Sequence, residues 1–144
     1  MDFTNLKPWD PPDLQVSYFT AEDPSEFIHV AGVAFSGNYP PGSLGNGHGR
    51  WISRKTIDAY LAFDPITLVL DFRGMHYTWG NTLMKVFQDW SEMCGEIPPL
   101  YIVVSDLCTD AIRSLLGSSM DDLIFDSLTL AMEAAEKAAK AWLD

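Results

Sequence analysis

Apolar and polar residues alternate over Leu14 to Thr20 and again over Glu26 to Phe35, with Ala21-Glu22-Asp23-Pro24-Ser25 between them. This pattern predicts two strands paired as a hairpin. Ile52-Ser53 then leads into a helix with Ile57, Tyr60 and Leu61 on its inner face, Ser53 as N-cap and Asp64-Pro65 as its stop. Ile66 to Leu70 is a short apolar, β-branched run read as a buried strand, closed by Asp71 and followed by a loop from Arg73-Gly74. Leu83, Val86, Phe87, Trp90 and Cys94 recur at helical spacing, and Pro98-Pro99 ends that helix. Leu100 to Val104 is a second buried strand, and Thr109 to Leu116 a short helix with Ile112, Leu115 and Leu116 inward and Gly117 as terminator. After the brief apolar segment Asp122 to Phe125, Asp126 or Ser127 caps a last helix with Leu128, Ala131, Met132, Ala135, Ala139 and Trp142 along one stripe. Strands alternating with helices predict a single α/β domain, an open sheet of about four to five strands with helices packed on it.

Two segments fall outside this rhythm. Residues 1–13 read as an extended leader ahead of a single domain over 14–144. Ser36 to Gly49 holds five glycines, two prolines and two asparagines in 14 residues. That is too long and flexible for a tight turn, so residues 36–50 are expected to form a functional or a disordered loop.

With 144 residues and 47% hydrophobic content, one compact domain with a real core is expected. The net charge of −11 repels phosphate backbones and anionic membranes at long range, which argues against nucleic acid and membrane partners. A basic protein surface suits it better. Cys94 and Cys108, 14 residues apart with no CxxC pair and no histidine cluster nearby, indicate neither a metal site nor a disulfide framework. Met1 to Pro12 lacks the character of a signal peptide, and no apolar run approaches a membrane span, so a cytoplasmic, reduced protein is expected.

Candidate chemistry gathers where the buried strand runs into the next helix. Ligands and partners of α/β sheets meet the carboxyl ends of strands and the free amides of helix starts. His76, Tyr77, Thr78, Trp79, Gly80, Asn81 and Thr82 occupy that place. Thr78 and Thr82 are the hydroxyls near the helix start, where a phosphate would gain from the helix dipole, and Thr78 or Asn81 also suits an N-cap. His76, Thr78 and Asn81 form a candidate polar patch for partner recognition. A second candidate group, His48, Arg50 and Trp51, lies at the end of the glycine-rich stretch, while His29 reads as an ordinary strand residue. Trp9, Trp51, Tyr77 and Trp79 fall in apparent loops, where large aromatics either pack on the sheet edge or anchor a partner. No catalytic triad, phosphate loop or cofactor motif is legible, and no cofactor is expected.

Leu68-Val69-Leu70-Asp71-Phe72-Arg73-Gly74-Met75 resembles the central strand of the STAS domain, the fold of anti-sigma-factor antagonists and of sulfate-transporter tails. Ile102-Val103-Val104, then Ala111 to Leu116, then Met120-Asp121-Asp122-Leu123-Ile124-Phe125-Asp126-Ser127-Leu128 and Ala131 are similar to that family's last strand, short helix, "GLDDLF…FDSLEEA" segment and terminal helix. The resemblance runs from about Glu26 to the C-terminus. It implies a non-catalytic regulatory module that binds a kinase or other regulator in a bacterial signalling or stress-response assembly. Phosphorylated members carry Ser or Thr directly after an aspartate at the helix start, whereas this chain reads Thr78-Trp79-Gly80-Asn81-Thr82, without that pair. Two alternatives stand beside it. One is an acidic immunity or inhibitor protein neutralising a basic toxin. The other is a small crotonase-like or other ligand-binding protein, on the likeness of Val69 to Leu83 to a crotonase strand, loop and helix, though the chain is short for that fold and lacks its later glycine pairs. A homodimer stays open.

Overall fold

The computed structural model describes residues 1–95 and 99–144. It contains β1 (Leu14–Phe19), β2 (Val30–Asn38), α1 (Asn46–Phe63), β3 (Thr67–His76), α2 (Lys85–Cys94), β4 (Tyr101–Val103), α3 (Thr109–Leu116), β5 (Ile124–Phe125) and α4 (Leu128–Leu143). The five strands form one sheet in the order β1-β2-β3-β4-β5. β1 and β2 pair antiparallel as the expected hairpin, and the remaining neighbours are parallel. The α/β architecture and strand number agree with the sequence expectation.

One face of the sheet buries Leu68, Leu70, Phe72, Ile102 and Val33 against α1, α2 and α3, and the other buries Val30, Val69, Tyr101 and Val103 against α4. Both faces of β3 are covered, which is why its sequence is a continuous apolar run rather than an alternating one. Each such side chain removed from water contributes about 1.5–3 kcal/mol before entropy is counted. α4 approaches the sheet through Ala131, Ala135 and Ala139, small residues at helical spacing that let the helix lie close. Ser127 caps it, its side-chain oxygen accepting from Leu130 N at 3.3 Å. Trp142, placed on the inner stripe by spacing, is instead about half exposed at the helix end.

Several boundaries differ from the sequence reading, each for a local reason. The second strand starts at Val30, not Glu26, because the Glu22 carboxylate accepts from the backbone N–H of His29 and of Val30 and holds residues 26–29 out of the sheet. His29 accordingly precedes the strand, with Nδ1 2.6 Å from Glu22 Oε1. Asp71 does not close the central strand. Its carboxylate is satisfied by the Arg73 side chain at 2.9 Å on both oxygens, and β3 continues through Arg73 and Gly74 to His76, past a bulge opposite Ala34–Ser36. The segment around Asp122 contributes only Ile124–Phe125 as a strand, after a 3-10 turn over Ser118–Leu123. The helix stop assigned to Pro98-Pro99 falls partly on residues outside those described; α2 ends at Cys94, with Gly95 at φ 59.

The largest correction concerns residues 36–50. They form neither a long loop nor a disordered one: β2 runs to Asn38, a 3-10 turn covers Gly42–Gly45, and α1 begins at Asn46. The glycines serve close packing rather than flexibility. A Cβ on Gly49 would fall 2.7 Å from the Thr82 carbonyl carbon, and one on Gly45 2.3 Å from the Tyr39 ring. Because α1 starts seven residues earlier than Ser53, that residue is no N-cap. It lies buried inside the helix, its hydroxyl donating to Asp89 Oδ2 at 2.6 Å. The inner face is Ile52, Thr56 and Ala59; Ile57 and Tyr60 are half-buried and Leu61 is exposed.

Candidate functional site

At the carboxyl end of the sheet, three segments meet: the turn after β2, the loop after β3 and the loop after β4. Backbone bonds stitch them together, with Tyr39 N donating to His76 O (2.9 Å), Gly42 N to Trp79 O (3.2 Å) and Tyr77 N to Leu107 O (3.2 Å). His76 is thus the last residue of β3 rather than part of a free turn.

Tyr77 is the buried post of this surface. Its hydroxyl donates to Gly80 O at 2.7 Å, and its ring meets that of Tyr39 edge-on at 4.9 Å. Burial pushes the Tyr77 phenol up to about 12. Tyr39 is raised further, by burial first and by Tyr77 beside it. Both are neutral packing groups at any physiological pH. Gly80 sits at φ 141, which an L side chain rarely adopts, and this lets the chain fold back over Tyr77.

Between those anchors Trp79 projects outward and is 64% exposed. Its indole lies over Gly42, where a Cβ would meet Trp79 Cη2 at 2.6 Å. The turn from the glycine-rich stretch therefore supports the six-membered end of the indole, while most of the side chain is open to solvent. Two shallow clefts of about 270 and 210 Å3 flank the Thr78–Trp79 loop and share Tyr77, Thr78 and Ala111. The first also holds His76, exposed Leu107 and the carboxylates Asp106 and Asp110. Leu107 and these acidic groups were missed in the sequence; their only signal was a position just past the end of an apolar strand.

The two candidate threonines differ. Thr78 is exposed, whereas Thr82 is half-buried and its hydroxyl donates to Asn46 Oδ1 at 2.7 Å. Thr82 and Asn81 lie in a 3-10 turn, Asn81–Met84, that precedes α2, and no side chain caps this turn or α2. The expected N-cap at Thr78 or Asn81 is therefore absent. The Asn81–Met84 turn packs instead on the first turns of α1, which supplies the tertiary partner in place of a cap.

His48, Arg50 and Trp51 belong to α1, not to a loop, and line a separate cleft of about 600 Å3 with Trp9 and Arg54. Trp51 is buried and its Nε1 donates to Asp10 Oδ1 at 2.7 Å. His48 Nε2 lies 2.7 Å from Asp13 Oδ1, and Trp9 meets the imidazole edge-on at 5.3 Å. Residues 9–13 thus strap α1, engaging Trp51 Nε1 and His48 Nε2 through Asp10 and Asp13. Cys108 is buried and Cys94 half-buried, and burial pushes each thiol up, away from the thiolate form. Among the described residues no cluster of histidine, cysteine and carboxylate side chains is arranged to hold a metal ion.

No protein-family model matches this chain, and no curated protein matches it. Among solved structures, the crystal structure of an anti-sigma factor antagonist from Mycobacterium paratuberculosis superposes on it with a TM-score of 0.58. The match covers 89% of this chain and 99% of that one at 18% identity. The fold is STAS-like. At that identity the likeness is one of fold; the carboxyl end of this chain's sheet presents an exposed tryptophan, an exposed threonine and two carboxylates. Among the described residues no helix of this STAS-like domain is long and apolar enough to cross a membrane.

Proposed function

We propose that the chain is a cytoplasmic, non-catalytic regulatory module that binds another protein through the surface around Trp79, in a signalling or stress-response assembly. The observation that carries this reading is the exposure of Trp79 on a braced loop. A large aromatic held rigid by Gly42 below it and by Tyr77 and Gly80 beside it loses little entropy on binding, and such side chains are favoured interface anchors. The STAS-like fold supports the same reading, since the superposed structure is that of a protein named for antagonising an anti-sigma factor.

The partner surface would offer an apolar recess for the indole and basic groups for Asp106 and Asp110, with His76, Thr78 and Asn81 as polar contacts. Thr78 is the hydroxyl open to modification, and a phosphate there would add charge to an already acidic rim and weaken a basic partner. The test is binding of a kinase or regulator isolated from the host by wild type and by Trp79→Ala. A loss of about tenfold or more in affinity with an unchanged melting profile supports the reading, and equal affinity refutes it. The immunity-protein alternative draws on the same acidic rim and on the net charge of −11, and it predicts a basic toxin as the captured partner with association that weakens steeply in salt.

A further inference from the structure

The two edges of the sheet are unequally protected. β5 is two residues long and offers almost nothing to pair with, whereas β1 is six residues, Leu-Gln-Val-Ser-Tyr-Phe, without a charge, a proline or a bulge. Natural edges of that length are normally blunted by one of these devices, because their unpaired N–H and C=O groups template another strand. Among the described residues no segment pairs with the outer side of β1.

The backbone phase fixes what the edge presents. Asp13 O accepts from Asn38 N at 2.8 Å, so residue 13 faces β2, and by alternation Gln15, Ser17 and Phe19 do likewise. The free N–H and C=O groups then belong to Leu14, Val16 and Tyr18.

We infer that β1 pairs antiparallel with β1 of a second copy, about a twofold axis through Val16, to make one continuous sheet across a homodimer. Leu14 would stand opposite Tyr18 of the other copy and Val16 opposite itself, closing about six backbone hydrogen bonds. Gln15 would face Ser17. The only charge at the strand's start, Asp13, would fall opposite Phe19, so no carboxylate meets its own copy. The edge is flanked by exposed apolar surface, with Tyr18 edge-on to Phe63 at the end of α1, and that surface would be covered by the same contact. A second copy suits this edge better than a charged peptide does, because the strand is self-complementary and carries no charge to select a partner.

Analytical ultracentrifugation from low micromolar to millimolar protein, at low and high salt, tests the inference. Two chains of net charge −11 repel, so the dimer should tighten as salt rises. In this register Gln15→Lys with Ser17→Lys places lysine opposite lysine twice, and Gln15→Glu with Ser17→Glu does the same with carboxylates. Each double variant alone should be folded and monomeric, with dimerisation weakened at least tenfold, and an equimolar mixture of the two should recover a dimer. A wild type that stays monomeric at high salt, charged variants that dimerise as tightly as wild type, or a mixture that fails to associate would each overturn it. Trp79→Ala should leave the dimer intact, which separates this edge from the surface proposed for the partner.

Discussion

The Thr82 hydroxyl donates to Asn46 Oδ1 at 2.7 Å, joining the turn before α2 to the first residue of α1 across 36 positions of sequence. One bond thus ties together two stretches that look like independent loops in the sequence. Replacing Thr82 with valine removes the donor while keeping the shape and should cost about 0.5–1.5 kcal/mol. Thr78→Val, at an exposed hydroxyl, should stay within about 0.5 kcal/mol of wild type. Urea denaturation of the two variants checks the contrast, and equal effects would contradict the assignment of Thr82 as structural and Thr78 as free.

Gly80 and Tyr77 form a second such device. Gly80→Ala forces a β-carbon into a backbone region at φ 141 and should destabilise by about 1–3 kcal/mol. Tyr77→Phe leaves the Gly80 carbonyl without its donor and should cost about 1–3 kcal/mol. Near-ultraviolet circular dichroism and melting temperatures would show both losses; a neutral Tyr77→Phe would mean that the loop is braced by Gly42 alone.

Most of the element order was legible because β3, β4 and α3 carry local apolar signals strong enough to be read alone. The glycine-rich stretch was not, because several of its glycines are explained by Trp9, Trp79 and Thr82, partners remote in sequence that only the fold brings near. Ser53 misled for a similar reason: a serine at an apparent helix start reads as a cap, yet its partner is Asp89 on the neighbouring helix. At the candidate site the segment His76 to Thr82 was found from its place after the central strand. Its division into a buried Tyr77, a committed Thr82, a free Thr78 and an exposed Trp79 depends on tertiary contacts.

Alkaline titration tests the buried tyrosines. Tyr77 is pushed up to about 12 and Tyr39 is raised as well, both by burial, from an ordinary value of 10.0. A folded-state value above the unfolded one means stability that is full below about pH 10 and is lost as pH rises through the folded value. Unfolding free energy should therefore fall above pH 10, and phenolate absorbance from these two rings should appear with unfolding rather than before it. Early titration of all five tyrosines would contradict their burial.

The acid limb has its own marker. The Ser53 hydroxyl first, and Lys85 at 3.1 Å, hold the Asp89 carboxyl below its ordinary 3.8. A depressed value contributes stability above the unfolded pKa and loses it as pH falls through the folded one. Ser53→Ala should lower stability near neutrality and flatten the loss on acidification below pH 4. A pH profile parallel to that of wild type would show that the Ser53–Asp89 bond does not set the carboxyl's proton affinity.

The central claim is that a protein partner docks on the braced Trp79. The most direct measurement is isothermal titration of the purified host partner into wild type and Trp79→Ala protein of matched thermal stability. The account predicts a stoichiometric complex with wild type and a loss of about tenfold or more in affinity for the variant, about 1.4 kcal/mol in binding free energy. Undiminished binding by Trp79→Ala would contradict it.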